Sequence, residues 1–171
     1  MQNLFETLGM EPSFTLNLKA LEQAYFTAQR ATHPDRFIGK PESERTAAIT
    51  KSQLVNDAYE TLKDPLRRAE HLLELQGIHA LADEQKVPAE ILGEMMELRE
   101  RIFDNGSDGA ALMAIIGEIK ALAIENSNAL TEAFAAGDYA GATHETIRLQ
   151  YLGKAMEEAH MLVYRLKAAH G

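Results

Sequence analysis

Residues 53–77 read QLVNDAYETLKDPLRRAEHLLELQG. Leu54, Ala58 and Leu62 recur every fourth residue, the same-face spacing of an α-helix, with Val55 and Tyr59 beside them. Asp64 is a good N-cap, and Pro65 after it fits the first position of a new helix. The new helix closes at Gly77, a residue suited to ending a helix in the left-handed conformation. Two helices joined at a capped proline predict an all-α chain. No stretch alternates with the period of a convincing strand, and no internal repeat is present.

Upstream, the stretch LFETLG (4–9) predicts a short first helix stopped by Gly9. Asn17 is a candidate N-cap for a second helix, in which Leu18, Leu21, Tyr25 and Ala28 share a face. That helix runs to about Thr32. The next residues are THPDRF (32–37). A residue before proline is pushed out of the α region, so His33 breaks the helix. Residues 34–44, PDRFIGKPESE, hold two prolines and a glycine and read as a loop. The long helix ending at Lys63 begins near Glu42.

Downstream, residues 78–87 read as a linker. Three longer helices follow, over about 88–104, 108–136 and 138–169, with DNGSDG (104–109) and AGD (136–138) as turns. Short turns between three helices predict an antiparallel bundle.

The chain has 171 residues, enough for one sizeable core or two small ones. With 46% hydrophobic and 25% charged residues and no biased tract, it reads as folded. It has no Cys, which removes disulfides, thiolate metal sites and a Cys nucleophile. The first residues lack a basic n-region and a long apolar run, so no signal peptide is read. No stretch approaches the roughly 18 apolar residues of a membrane span. A cytoplasmic protein is expected. Net charge is −9 and uneven: residues 1–77 carry 9 Lys and Arg against 11 Asp and Glu, residues 78–171 carry 8 against 15. A nucleic-acid binder needs a basic face to neutralise phosphates, so the acidic second half argues against nucleic acid. It argues equally against an anionic membrane surface.

Several chemistries fail on spacing. DNGSDG as a calcium loop from Asp104 would need ligands at Gly106 and Ile115. A carboxylate-bridged di-metal bundle needs two Glu-x-x-His pairs, and Glu157 with His160 supplies one. There is no HExxH, G-x-S-x-G or glycine-rich phosphate loop. A buried Arg/Glu site of the kind some helical mutases use has no motif by which to recognise it, and stands as a separate reading.

The stretch ILGEMMELRERIF (91–103) is more informative. Ile91, Met95, Leu98 and Ile102 form one core-facing stripe. Leu92, Met96 and Phe103 follow about 100° around the helix and give it a second apolar edge. Glu97, Arg99 and Glu100 put charges near that edge. Such a helix either buries a wide stripe or presents an apolar strip with a charged rim, the anatomy of a partner site. In the last helix Leu149, Leu152, Met156, Ala159, Val163 and Leu166 form a stripe. Tyr151 falls off it, as a boundary residue or as an anchor for a partner.

HPD in the loop after an amphipathic helix, with NDAYETLKDPLRRAEHLL closing the domain, resembles a J-domain over about residues 1–77. The RRAEHLL continuation, the linker and the acidic second half with EMMELRE over residues 88–171 resemble the HscB-type co-chaperones of iron–sulfur cluster biogenesis. With no Cys the chain is similar to the bacterial form. The resemblance implies two all-α domains in an L-shaped arrangement: an N-terminal J-domain and a C-terminal scaffold-binding three-helix bundle. It implies a monomer and no cofactor or metal. Its partners would be a DnaK-type chaperone, HscA, whose ATPase the J-domain stimulates, and the scaffold protein IscU, delivered by the second domain. The protein would be an activator and not an enzyme.

On these residues the resemblance assigns chaperone contact to His33, Pro34 and Asp35, with Arg30 and Arg36 beside them. Basic residues are sparse on the preceding helix: Lys19 and Arg30 are present, while Gln23 and Ala24 occupy places where others could sit. Scaffold contact falls to Leu92, Met96, Glu97, Arg99 and Glu100, with Tyr151 across from them. Gly93 stands where the family tends to have an apolar side chain. A J-domain adaptor for an unrelated client would keep the first half of this reading and reassign the second.

Overall fold

In a computed structural model, residues 2–82 and 86–169 are described. Residues 83–85, part of the expected linker, lie outside them. The chain divides into two compact units, Met1–Ile78 and His79–Gly171. Among the described residues both units are helical and neither holds a strand.

The first unit is built on four helices. These are α1 (Leu4–Thr7), α2 (Leu18–Thr32), α3 (Glu42–Lys63) and α4 (Pro65–Glu74). Asn17 caps α2 as expected, its side chain accepting from the N–H groups of Lys19 and Ala20. Asp64 caps α4 through the Arg67 N–H, with Pro65 at the first helical position. Gly77 follows α4 at φ +78°, a region open to glycine and strained for other residues. Helix α3 touches α1, α2 and α4, so it is the spine of this unit. Phe5, Leu21, Leu62 and Leu73 are fully buried around it. Each such burial is worth roughly 1.5–3 kcal/mol against exposure.

The α3 stripe shifts slightly from expectation. Val55, Ala58 and Leu62 are buried, while Leu54 is half-buried. Leu18 in α2 is exposed rather than core-facing: it is the first residue of its helix and lines an open surface hollow with Tyr59 and Lys63 of α3. Tyr25 stacks on Tyr59 at 4.3 Å between ring centroids and so ties α2 to α3.

The second unit is α5 (Ala89–Asp104), α6 (Gly109–Ala136) and α7 (Tyr139–Ala169). Asp108 caps α6 through the N–H groups of Ala110 and Ala111. Gly137, at φ +68°, closes it. The stripe Ile91, Met95, Leu98 and Ile102 is buried as its spacing predicts, against Leu112, Ile116 and Ile119 of α6. On α7 the buried set is Ala142, Thr146, Ile147, Leu152, Ala155, Ala159 and Val163. Leu149 is half-buried instead.

Polar pairs give the helix directions. Glu90 meets His144, Glu94 meets Arg148 and Arg99 meets Glu158, so α5 and α7 run parallel. Arg101 meets Glu118, and Glu125 meets Arg148, so α6 runs antiparallel to both.

Candidate functional site

Each unit presents one surface that the sequence singles out. In the first, His33 ends α2 with extended backbone, φ −60° and ψ 129°. Pro34 forces that conformation on the residue before it. The segment that read as pure loop then makes a 3-10 turn over Pro34–Phe37. Proline suits its first position, and the His33 Nδ1 accepts from the Asp35 N–H at 3.3 Å, so the histidine caps the turn. A neutral ring with Nδ1 accepting carries its proton on Nε2, which leaves that nitrogen as a donor.

Asp35 is held at the tip of this turn with 81% of its side chain exposed. Among the described residues no Lys or Arg pairs with it; its near neighbour is His33 Nδ1, 3.6 Å from Oδ2. Arg36 turns back instead, and its Nη1 donates to the Arg30 carbonyl at 3.1 Å. That bond ties the turn to the last residues of α2. The side chain of Arg30 is exposed on the same helix end. The five residues therefore gather at one rigid corner, with a carboxylate, an imidazole and two guanidinium groups.

In the second unit, Leu92 is 42% exposed and Met96 72% exposed on the outer flank of α5. The second apolar edge is thus surface and not a widened core. Arg99 shares that flank, and its Nε donates to Glu158 Oε2 on α7 at 3.1 Å. Leu92 lies seven residues before Arg99, and Tyr151 lies seven before Glu158. With α5 and α7 parallel, that register sets Leu92 and Tyr151 level along one edge.

Tyr151 is half-buried and packs on the core, beside Leu81, Val87 and Ile147, with Lys154 Nζ 5.2 Å from its ring centroid. Glu100 sits about 40° round from Met96, and Glu97 about 100° round, on the outward back of the helix. Glu97 is therefore beside the strip rather than in it. A Cβ at Gly93 would meet nothing, so that position is open surface.

The opposite flank of α5 carries groups that sequence reasoning missed. Arg148 makes a two-pronged bond to Glu94, at 2.9 and 2.7 Å. The guanidinium holds the Glu94 carboxyl below its usual range. His144 sets Nε2 3.2 Å from Glu90 and Nδ1 3.1 Å from Glu145. Asn126, fully buried, donates to the Glu145 carbonyl and carboxylate at 2.8 Å each. No periodic signal marks these partners, because they are set by which residues the α5–α7 pairing brings level. Among the described residues no group of three or more His, Asp or Glu is arranged to hold a metal ion. His160, the one histidine with a Glu three residues before it, is exposed.

Comparison with known proteins agrees with both halves. Residues 3–71 match the DnaJ domain family, and residues 87–167 match the HSCB C-terminal oligomerisation domain family. The chain is 34% identical over 160 residues to a co-chaperone protein HscB homolog of Vibrio cholerae, covering 91% of this chain and 94% of that one. It is 33% identical over 158 residues to the mouse iron-sulfur cluster co-chaperone protein HscB, covering 92% of this chain and 67% of that one. The solved structure of chaperone HscB from Vibrio cholerae superposes with a TM-score of 0.84 at 32% identity, over 96% of this chain and 99% of that one. With a DnaJ domain followed by the HscB C-terminal domain on an all-α fold, the chain belongs to the HscB family of co-chaperones.

Proposed function

We propose that the protein stimulates ATP hydrolysis by a DnaK-type chaperone, HscA, and delivers the iron–sulfur scaffold protein IscU to it, in the cytoplasm. Residues 1–77 act as the J-domain, 78–87 as the linker and 88–171 as the scaffold-binding bundle. The observation that carries this reading is the Asp35 carboxylate, 81% exposed on a turn fixed at both ends by Pro34 and by the Arg36–Arg30 bond. A carboxylate already held in place loses little freedom on docking, which favours its use as a contact. Asp35 engages a basic site on the chaperone's ATPase domain, His33 caps the turn and offers its Nε2, and Arg30 and Arg36 flank it. Arg36 is partly committed to bracing.

The groups that hydrolyse ATP belong to the chaperone. A co-chaperone changes the rate only by binding one chaperone state better than another, since equal affinity shifts nothing. The scaffold docks on Leu92 and Met96, with Tyr151 level with Leu92 and Glu97, Arg99 and Glu100 around them. The mouse relative's name places that protein in iron–sulfur cluster work, which supports this choice of client.

The test is steady-state ATP hydrolysis by HscA with this protein, IscU or both. Stimulation is expected with this protein and more than additively with IscU. Asp35→Asn keeps the shape and removes the charge, so stimulation should fall about tenfold or more while the melting curve stays in place. No stimulation of either HscA or the general DnaK would overturn the reading.

A further inference from the structure

Helix α5 carries seven charged side chains. Four of them are engaged within the bundle: Glu90 with His144, Glu94 with Arg148, Arg99 with Glu158 and Arg101 with Glu118. The other three, Glu97, Glu100 and Asp104, are exposed and make no hydrogen bond or ion pair among the described residues. Their spacing of three and four puts them in one row along the outward back of the helix. Beside that row runs the apolar one, Leu92, Met96 and Phe103, four and seven residues apart and so within about 40° of each other.

Phe103 is 82% exposed, more so than Met96 at 72% or Leu92 at 42%. The apolar row grows more exposed toward the C-terminal end of α5, where the proposed scaffold contacts had already stopped. An aromatic ring so far out of the core does little for its own fold. Its apolar stripe, about 16 Å long at 1.5 Å per residue, runs beside an unpaired acid row about 10 Å long.

We propose that the docking strip continues past Met96 to Phe103 and receives an amphipathic segment of the scaffold about three turns long. That segment lays an apolar row on Leu92, Met96 and Phe103 and a basic row on Glu97, Glu100 and Asp104. The inference rests on the scaffold-docking reading above and names the chemistry of the occupant. A second copy of this chain fits poorly, because a two-fold pairing of α5 would set one acid row against another. Phosphate-bearing surfaces are repelled by the same row.

The test is titration of purified IscU into the full-length protein and into Met96→Ala, Phe103→Ala and a Glu97→Gln/Asp104→Asn double variant, at low and moderate salt. Phe103→Ala is expected to raise Kd roughly tenfold, as loss of an aromatic anchor does, with an unchanged melting curve. If Phe103→Ala binds as the parent while Met96→Ala weakens, the extension is overturned and scaffold docking stands. If neither substitution weakens binding, the docking reading falls with it. Parent binding should weaken as salt rises, and the double variant should flatten that dependence. A salt-independent parent would overturn the basic row.

Discussion

Arg68 shows how much a single side chain can do in this protein. It is only 6% exposed, yet its guanidinium donates to the carbonyls of Leu62 at 2.7 Å, Phe14 at 2.9 Å and Lys63 at 3.4 Å. It also lies over the Phe14 ring, 5.6 Å from the centroid. Two of these carbonyls end α3, and the third belongs to the segment before α2, so one side chain satisfies a helix terminus and anchors a connection. Burial pushes its pKa down, but the guanidinium stays charged because arginine starts so high. Arg68→Leu should cost about 3 kcal/mol by leaving buried carbonyls without donors. Urea unfolding would read it as a lower midpoint. Arg68→Lys should rescue little, since a point ammonium cannot reach three acceptors that a planar fork spans. In the sequence this residue is one of a pair, Arg67 and Arg68, and only Arg68 points inward.

At the scale of elements, α1 is too short to persist alone, since a single turn does not offset helix nucleation. It is held by the burial of Phe5 and by the Leu4 N–H, which donates to His71 Nε2 of α4 at 3.1 Å. His71 is buried, and that burial pushes its pKa below the ordinary histidine value, while Glu74 nearby pulls the other way. Nε2 must stay unprotonated to accept. The unfolded chain therefore takes up the proton first. The stabilisation is complete above about pH 6.5 and is lost as pH falls through the lower, folded value. Protection of the Leu4 amide and its neighbours should fall as pH drops, so their exchange should slow less than the intrinsic base-catalysed rate does, and His71→Gln should remove that difference.

The pairing of α5 with α7 depends on Arg148 in a comparable way. It is 13% exposed and faces Glu94, Glu125 and Glu145. Arg148→Ala should destabilise the second unit by about 2 kcal/mol, less than a fully buried pair would lose, because Glu94 and Glu125 keep some water. Thermal melting at pH 7 checks it. The gap between parent and variant should narrow as pH falls through the lowered Glu94 value, since the protonated carboxyl no longer needs the guanidinium.

For the whole molecule, the two surfaces stand in different compact units. Their substitutions should therefore separate. Asp35→Asn should cut chaperone stimulation about tenfold or more and leave IscU affinity within twofold or so of the parent, as expected for sites in separate compact units without shared partners. Met96→Ala should weaken IscU binding by roughly tenfold and leave stimulation without IscU intact. ATPase rates and titration calorimetry on the same preparations check both. A variant that damaged both functions at once would mean that the two surfaces are one.

The sequence by itself determined the elements and the class of fold. Asn17, Asp64 and Asp108 cap where they stand because capping is a local exchange between a side chain and the next few N–H groups. The stripe Ile91, Met95, Leu98 and Ile102 could be read because helical period alone puts those residues on one face. Tertiary structure decided which of two adjacent faces is covered. Pattern left Leu92, Met96 and Phe103 poised between core and surface, and only the positions of α6 and α7 leave them in water. It also decided which charges are neutralised. Glu94 and Glu97 look alike in the sequence, yet one meets Arg148 and the other has no polar partner among the described residues, because residues 54 positions apart become neighbours only when the helices pack. Period and capping are properties of a few consecutive residues, whereas exposure and ion pairing depend on every element that could have packed there.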